Sequence, residues 1–157
     1  MPSNQAFSRD ELKQLSPPLY EELRTIRFQD VDVAGIVFFA RVQEYFHDAL
    51  MAFLDGAGID VRQMLKKKCG IPLIHAEADY LAPMRFGDSV WVEVVEMRFG
   101  QTSITTGFRV RDTSRDRKHM ALGQTVQVFM SMTTFSTQPV PDEFVKAIKR
   151  VARPLAK

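Results

Sequence analysis

The sequence predicts an α+β domain in which an antiparallel five-stranded sheet is wrapped around one long central helix. Residues 38–54 carry apolar side chains at helical spacing, which predicts that helix. One strand-like segment precedes the helix, and four more, joined by short turns, follow it. Strands joined by short turns pair antiparallel, and an apolar helix of this length must be covered by such a sheet.

The chain begins with a predicted appendage, residues 1–18. Ser8, with Glu11 three positions later, matches a capping box that opens a short helix, and Pro17 ends this helix. A partly ordered tail explains the same residues equally well. The first strand is predicted over residues 19–29.

The main domain is predicted to span residues 19–140. The apolar stripe of its central helix runs from Val42, Gly56 is a stop signal, and Asp60 is a natural N-cap for a second, shorter helix. The four later strands are predicted over residues 71–82, 90–97, 103–110 and 120–135. Residues 141–157 are predicted to form a terminal helix.

Composition narrows the possible functions. The net charge of +2 is too small to indicate nucleic-acid binding. No segment approaches the ~20 apolar residues of a membrane span, and residues 1–15 lack the apolar core of a secretory signal. The single cysteine, Cys69, excludes an internal disulfide. We therefore expect a cytoplasmic protein that binds neither nucleic acid nor a membrane.

Two carboxylates, Asp30 and Asp32, lie just before the start of the central helix. Residues 35–40 contain no Ser, Thr, Asp or Asn that would accept hydrogen bonds from the first N–H groups of that helix. Free N–H groups at a helix N-terminus stabilise a carbonyl oxygen that becomes an oxyanion, and an upstream carboxylate can reach the same carbonyl carbon. An Asp before a helix is more often a turn or capping residue, so the pattern alone leaves both roles open.

Two blocks of sequence give a more specific indication. Residues 28–46, FQDVDVAGIVFFARVQEYF, resemble the signature of 4-hydroxybenzoyl-CoA thioesterase-type hotdog proteins, in which an Asp precedes an Ala-Gly pair and an apolar run into the central helix. Residues 72–94, PLIHAEADYLAPMRFGDSVWVEV, are similar to the 1,4-dihydroxy-2-naphthoyl-CoA thioesterase branch of that family. The resemblance spans about residues 20–135. It implies a hotdog fold and an enzyme that hydrolyses an acyl-CoA thioester.

The resemblance also implies roles for single residues. It makes Asp32, not Asp30, the catalytic carboxylate, which acts either as a nucleophile or as a general base on water. It assigns the backbone N–H that binds the oxyanion to Phe39, where the family commonly has Tyr. Because that role uses the backbone, the different side chain does not remove it. Four further residues are expected to contact the substrate: Gly35, Val37, Phe38 and His75.

For the phosphates of coenzyme A, the sequence offers basic residues but no position-specific motif. The candidates are Arg85, Arg115, Arg117 and Lys118. No metal site is expected, because Cys69, His75 and His119 lack metal-ligand spacing, and no cofactor is expected beyond the coenzyme A of the substrate. Proteins that resemble this one pair their sheets edge to edge, so we expect a homodimer or homotetramer with the active site between subunits.

Several alternatives stay open at this level. A non-catalytic module of the same fold, which binds acyl-CoA or an acyl-carrier protein, is the alternative to an enzyme, and Asp32 argues against it. Glu44 on the central helix is a rival catalytic carboxylate, although its surroundings do not match the family branch that uses one there. The acyl group is an aryl group, such as hydroxybenzoyl or dihydroxynaphthoyl, or else a short or medium aliphatic chain.

Overall fold

A computed structural model describes residues 6–152 and shows a five-stranded antiparallel sheet that packs against a long helix. The helices are α1 (Arg9–Gln14), α2 (Phe39–Gly56), α3 (Val61–Lys66) and α4 (Asp142–Ala152). The strands are β1 (Tyr20–Thr25), β2 (Cys69–Gly70), β3 (Leu73–Tyr80), β4 (Ser89–Phe99), β5 (Ser103–Asp112), β6 (His119–Val128) and β7 (Met130–Ser131). The main sheet has the strand order β1-β4-β5-β6-β3, and β2 pairs separately with β7.

The predicted five-stranded antiparallel sheet is confirmed, but its last four strands do not form a simple meander. β3 pairs with β6 at the far edge rather than with the next strand, β4. The reason is that β4 has β1 on one side and β5 on the other, so neither of its edges is free. Residues 81–88 connect β3 to β4, and within this connecting segment the Met84 carbonyl accepts a hydrogen bond from Val37 N (2.9 Å). The connecting segment therefore lies against the residues that lead into α2.

The last strand of the sheet is shorter than the predicted 120–135. β6 ends at Val128, and the ring of the next residue, Phe129, is buried in the core 5.1 Å from the ring of Phe144 in α4. The two residues that follow form β7 and pair with β2 outside the main sheet. The prediction of one long strand is wrong because β6 ends where its partners begin. Val128 pairs with Ser103, the first residue of β5, and Gln127 pairs with Leu73, the first residue of β3.

Helix α2 packs on one face of the sheet, the inner face, and forms most of the core with it. Its predicted apolar stripe is buried from Val42 onward, and the Phe46 ring stacks on Phe108 of β5 with 4.8 Å between centroids. This close packing requires a glycine in β6, because a Cβ on Gly123 would lie only 2.4 Å from Phe46 Cε2. The helix ends at Gly56, where the sequence predicts a stop.

The N-terminal segment covers the opposite, outer face of the sheet. The predicted capping box of α1 is confirmed, because Ser8 Oγ accepts a hydrogen bond from Glu11 N (3.2 Å) and the Glu11 side chain accepts one from Ser8 N (2.7 Å). Phe7 and Leu12 then pack on Leu122 of β6. The segment is therefore docked on the domain rather than extended from it; the first five residues of the predicted appendage lie outside the described residues.

A buried ion pair ties this segment to the sheet. Arg109 of β5 is almost fully buried and donates hydrogen bonds to the carbonyls of Leu12 (3.0 Å) and Leu15 (2.7 Å), at the end of α1. Its Nε donates to Glu93 of β4, a fully buried carboxylate that also accepts a hydrogen bond from Arg111. Either charge alone would be costly in the interior, so the two residues stabilise each other and fix the position of α1.

The terminal helix α4 belongs to the main core. Phe144 and Ile148 are buried in it, whereas Val151, the next residue on the same stripe, is exposed. The last five residues of the predicted 141–157 helix lie outside the described residues. None of the helices within residues 6–152 is long and apolar enough to cross a membrane.

Gly123→Ala is expected to destabilise the fold. The new Cβ would press on the Phe46 ring and lie 2.6 Å from the Glu77 carbonyl oxygen, so α2 or β3 must move. Overpacking of this kind typically costs ~1–3 kcal/mol of folding free energy. Gly56→Ala is the matched control, because no heavy atom outside its own helical backbone lies within 4 Å of its Cβ position. Thermal unfolding compares the two variants, and a wild-type melting temperature for Gly123→Ala contradicts the packing described above.

Candidate active site

A tight turn at residues 32–35 presents Asp32 at the surface. Gly35 N donates to the Asp32 carbonyl (2.9 Å), and Asp32 N donates to the Ile36 carbonyl (3.0 Å). Gly35 has a φ of +74°, which glycine adopts without strain. One oxygen of the exposed Asp32 carboxylate accepts a hydrogen bond from Ala34 N (2.8 Å). This bond orients the carboxylate and leaves its second oxygen available to a substrate or a water.

The neighbouring carboxylate, Asp30, is buried and anchors the turn. It accepts hydrogen bonds from the backbone N–H of Arg27 (2.9 Å) and from the guanidinium of the same residue (3.0 and 3.1 Å). The Asp30 carbonyl accepts another from Phe38 N (2.9 Å), which joins the turn to the start of α2. Burial alone would raise the pKa of Asp30, but the hydrogen bonds from Arg27 outweigh it and lower that pKa. Asp30 thus has the turn role that the sequence favours for it.

Helix α2 begins at Phe39 without a capping side chain. The N-cap residue, Phe38, has no side-chain acceptor for the first N–H groups. Arg41 N donates to the Phe38 carbonyl (2.9 Å), but the N–H groups of Phe39 and Ala40 find no acceptor within residues 6–152. These two donors carry the partial positive charge of the helix N-terminus. They therefore suit an oxygen atom that gains negative charge.

Asp32 and Phe39 line the same cavity, which has a volume of about 380 Å³. Its apolar wall comes from the turn, α2 and the connecting segment: Ile36, Val37, Val42, Leu81, Ala82, Pro83 and Met84. A further polar residue is Tyr80, at the end of β3, whose hydroxyl donates to the Phe39 carbonyl (2.9 Å). Burial raises the pKa of Tyr80, so this hydroxyl keeps its proton at neutral pH. The cavity thus combines a carboxylate, the first residue of α2 and a phenol in apolar surroundings.

The sequence pattern around Tyr80 does not single out this residue. In the pattern of β3 it belongs to the apolar face, with Ile74, Ala76 and Ala78. A tyrosine at the end of such a face is a signal, because its hydroxyl needs a partner that the strand does not supply. The identity of that partner depends on where α2 lies relative to β3, which the sequence does not reveal.

The predicted substrate contacts divide into two groups. Val37 lines the cavity, Gly35 forms the adjoining turn, and Phe38 is the N-cap of α2. His75 lies on the outer face of β3 with Glu77, to which its Nε2 is hydrogen-bonded (3.1 Å). The structure does not bring His75 to the Asp32 cavity, because side chains alternate along β3 and the inner face carries its neighbours.

The basic residues expected near coenzyme A divide in the same way. Arg85 adjoins the cavity, because its backbone pairs with Ile36 in the wall, and its side chain is exposed. Arg117 is held elsewhere by an ion pair with Glu21 (2.8 Å) and by the Trp91 ring, over which its guanidinium lies. Two exposed residues lie beside it in the loop between β5 and β6: Arg115 and Lys118.

A second cavity, of about 590 Å³, lies between the middle of α2 and the first half of β3. Its polar lining residues are Gln43, Glu44, His47, Asp48, Thr125 and Gln127. Glu44, the rival carboxylate, is exposed and pairs with Arg41 (2.7 Å), so it lies in this cavity and not beside Asp32. No group of three His, Cys, Asp or Glu residues that could hold a metal ion occurs in the described part of the chain.

Solved thioesterase structures have the same fold. A 1,4-dihydroxy-2-naphthoyl-CoA thioesterase from Synechocystis matches with a TM-score of 0.79 and 21% identity, over 86% of this chain and 98% of that one. A gentisyl-coenzyme A thioesterase matches with a TM-score of 0.71 and 23% identity, over 81% of this chain and 99% of that one. At these identities the likeness establishes the fold, so the predicted hotdog fold is confirmed.

Relatives by sequence match over most of their length. The 1,4-dihydroxy-2-naphthoyl-CoA hydrolases of Synechococcus elongatus and Nostoc punctiforme are each 30% identical to this chain. Both matches cover 78% of this chain, and they cover 90% and 82% of the respective relatives. The family model described as the thioesterase-like superfamily matches residues 26–148, which include the Asp32 turn and α2. Since that match extends over most of the chain, this protein belongs to the thioesterase-like superfamily.

Proposed function

We propose that this protein is an acyl-CoA thioesterase that hydrolyses a hydroxyaryl-CoA, with Asp32 as its catalytic carboxylate. The observation that carries the proposal is the cavity of about 380 Å³ that is lined by both Asp32 and Phe39. Thioester hydrolysis needs a base or nucleophile and a site for the oxyanion, and both groups border this one space.

In the proposed reaction, the thioester carbonyl oxygen binds the free N–H groups of Phe39 and Ala40. Asp32 either attacks the carbonyl carbon, which gives an acyl-enzyme anhydride, or takes a proton from a water that attacks it. Negative charge then develops on the oxygen, and each N–H donor stabilises it by ~3 kcal/mol. Coenzyme A leaves as the thiol and the acyl group as a carboxylic acid, with no cofactor beyond the coenzyme A of the substrate.

Tyr80 keeps the oxyanion donors aligned. Its hydroxyl is hydrogen-bonded to the Phe39 carbonyl (2.9 Å). That carbonyl shares a planar peptide unit with the N–H of Ala40, so the bond also fixes the direction of this donor. Tyr80 is therefore a positioning residue in the proposed mechanism.

Two observations support an aryl substrate. The wall of the cavity is mostly apolar, which suits a ring better than a charged acyl group. The relatives and the solved structures include enzymes for 1,4-dihydroxy-2-naphthoyl-CoA and gentisyl-CoA, both thioesters of hydroxylated aromatic acids. Short or medium aliphatic thioesters are the alternative substrates. Arg85 is our candidate for the contact with the phosphates of coenzyme A, because it is basic and exposed next to the cavity.

We further propose that two copies of the chain pair through β3. This edge strand exposes Leu73, Ile74 and Tyr80, and no other strand of the described chain pairs with its free side. The other edge strand, β1, has six residues against the eight of β3. Antiparallel pairing of two β3 strands makes one continuous sheet. The cavity between α2 and β3 would then lie next to the second copy. A homotetramer would contain this pair twice.

Asp32→Asn is expected to lower kcat by about 10²–10⁴-fold, because the amide cannot act as a base or nucleophile. Steady-state hydrolysis of 1,4-dihydroxy-2-naphthoyl-CoA measures the loss, and Asp55→Asn, an exposed carboxylate at the end of α2, is the matched control. Activity that survives in Asp32→Asn and disappears in Glu44→Gln would assign catalysis to Glu44. If the wild-type protein binds aryl and aliphatic thioesters but hydrolyses none of them, it is the non-catalytic binding module instead.

Single-turnover hydrolysis in water labelled with ¹⁸O separates the two roles of Asp32. A nucleophilic Asp32 forms the anhydride, and label enters its carboxylate when water attacks on the side of the enzyme. A general base leaves Asp32 unlabelled, and all label appears in the acid product. Mass spectrometry of the peptide that contains Asp32 detects the label, and label in that peptide identifies Asp32 as the nucleophile.

Tyr80→Phe is expected to lower kcat about fivefold with little change in KM, because one net hydrogen bond that aligns the oxyanion donors is lost. Tyr20→Phe is the matched control, since its hydroxyl is hydrogen-bonded to Glu22 (3.2 Å) away from the cavity. Steady-state kinetics of both variants test the role. An unchanged kcat in Tyr80→Phe, or an effect confined to KM, contradicts it.

Sedimentation equilibrium is expected to give at least twice the chain mass of 17.9 kDa. Ile74→Lys places a charge in the proposed contact and is expected to shift the protein toward the monomer, since charges on an edge strand oppose pairing. Leu23→Lys, the comparable exposed position on β1, serves as the control. A wild-type monomer at assay concentration, or dissociation by Leu23→Lys alone, rules out pairing through β3.

A further inference from the structure

We propose that the rings of Phe28 and Phe86 bind the adenine base of coenzyme A, so that the protein selects a coenzyme A thioester over one held by a carrier protein. The inference rests on the proposed thioesterase function, because it names the carrier of the acyl group. We call these two residues the aromatic pair.

The aromatic pair lies at the surface. Phe28 is 79% exposed and Phe86 is 63% exposed. Their ring centroids are 6.0 Å apart, and the rings meet edge to face at 87°. No other ring pair in the described part of the chain has both rings more than half exposed. Neighbouring apolar side chains that stay uncovered at a surface indicate contact with a ligand or a partner.

Backbone hydrogen bonds hold the two rings next to each other without a ligand. Ile26 N donates to the Asp88 carbonyl (2.8 Å), and Gly87 N donates to the Ile26 carbonyl (3.0 Å), so the segments that carry the two rings run side by side. Gly87 has a φ of +87°, which glycine adopts without strain. A preformed surface of this kind binds a planar group with little loss of conformational entropy.

The aromatic pair adjoins the Asp32 cavity. Phe86 lies two residues beyond Met84, which lines that cavity, and Phe28 precedes Asp32 by four residues. Four residues of chain span at most ~14 Å. The pantetheine arm of coenzyme A has about as many bonds between its sulfur and its first phosphorus as four residues have along their backbone, so it spans a similar distance. The nucleotide therefore reaches the aromatic pair while the thioester carbon lies at Asp32.

Arg85 gives the surface beside Phe86 a positive charge. Its side chain is exposed and forms no ion pair within residues 6–152. Two carboxylates of the same region already have partners, since Asp88 accepts a hydrogen bond from Arg85 N (2.8 Å) and Asp30 accepts those of Arg27. A free guanidinium beside aromatic rings matches a nucleotide, because phosphates bind Arg and bases stack on aromatic rings.

The base is the part of the substrate that the aromatic pair recognises. Each base has a π face, and its stacking on an aromatic side chain contributes to binding whether or not the base is also hydrogen-bonded. A carrier protein presents the same pantetheine arm and its phosphate but no adenine. The aromatic pair therefore strengthens the binding of coenzyme A thioesters alone.

The first test compares one acyl group on two carriers: 1,4-dihydroxy-2-naphthoyl-CoA and the same acyl group on 4′-phosphopantetheine, which lacks the nucleotide. We expect Phe86→Ala to lower the ratio of the two kcat/KM values, coenzyme A over phosphopantetheine, about tenfold, because the stacking of the base is lost. The change is expected mainly in KM, since the nucleotide is remote from the reacting bond. Phe86→Tyr keeps an aromatic face and is expected to keep the wild-type ratio.

Phe135→Ala is the matched control for this comparison. Phe135 is 70% exposed, but it does not line the Asp32 cavity and forms no ring pair within residues 6–152. Its variant is expected to keep the wild-type ratio. An unchanged ratio in Phe86→Ala, or the same fall in Phe135→Ala, overturns the inference while the thioesterase function stands. Equal losses on both substrates, together with a shift of Phe86→Ala toward the monomer, identify the aromatic pair as a contact between copies and also overturn it.

Isothermal titration calorimetry tests the site without hydrolysis. The probes are coenzyme A and 4′-phosphopantetheine. The Kd of coenzyme A is expected to rise about tenfold in Phe86→Ala, whereas the Kd of 4′-phosphopantetheine is expected to stay the same. If the wild type hydrolyses neither thioester but shows this pattern of affinities, the enzymatic function fails and the adenine site stands. If coenzyme A binds the wild type and Phe86→Ala equally well, the adenine site fails.

Discussion

The hydrogen bonds between Asp30 and Arg27 hold the Asp32 turn in one conformation, and the rest of the site depends on them. The Asp30 carboxylate is fully buried and accepts three hydrogen bonds from a single residue. Because an uncompensated buried charge would be costly, loss of the Arg27 side chain would destabilise the turn. The same Asp30 accepts the N–H of Phe38, so the turn and the first turn of α2 are fixed relative to each other. The geometry of the candidate site is thus built from hydrogen bonds around one buried anion.

The two faces of the sheet have different tasks. The inner face carries α2 and both cavities, whereas the outer face is covered by α1, which Arg109 and Glu93 hold in place. Gln124 strengthens this cover, because its side chain exchanges two hydrogen bonds with the backbone of Phe7 (2.8 and 3.1 Å). If two copies pair through the β3 edge, as proposed, assembly would bring a second copy next to the candidate site.

Polar groups that line the two cavities lack the hydrogen-bond partners that such groups usually have in folded proteins. The N–H groups of Phe39 and Ala40 lack a cap, and the hydroxyl of Thr125 lacks a partner within the described residues. The caps of other helices are complete: α1 has its capping box, and Asp60 caps α3 with two hydrogen bonds. Unsatisfied polar groups are often found at sites that bind a ligand. Both places line cavities on the same side of the sheet.

The sequence by itself determined the features that depend on neighbours along the chain. The period of α2, the capping box at Ser8, the cap at Asp60 and the Asp32 turn with its glycine involve residues within a few positions of one another. Only the tertiary structure decided the position of β3 beside β6, the early end of β6 and the contact between Tyr80 and Phe39. These depend on which strand edge is free, where the partner strands begin and which residues, distant in the sequence, meet. Local propensity and periodicity carry no information about such contacts, because they act over a few residues, whereas packing acts through space.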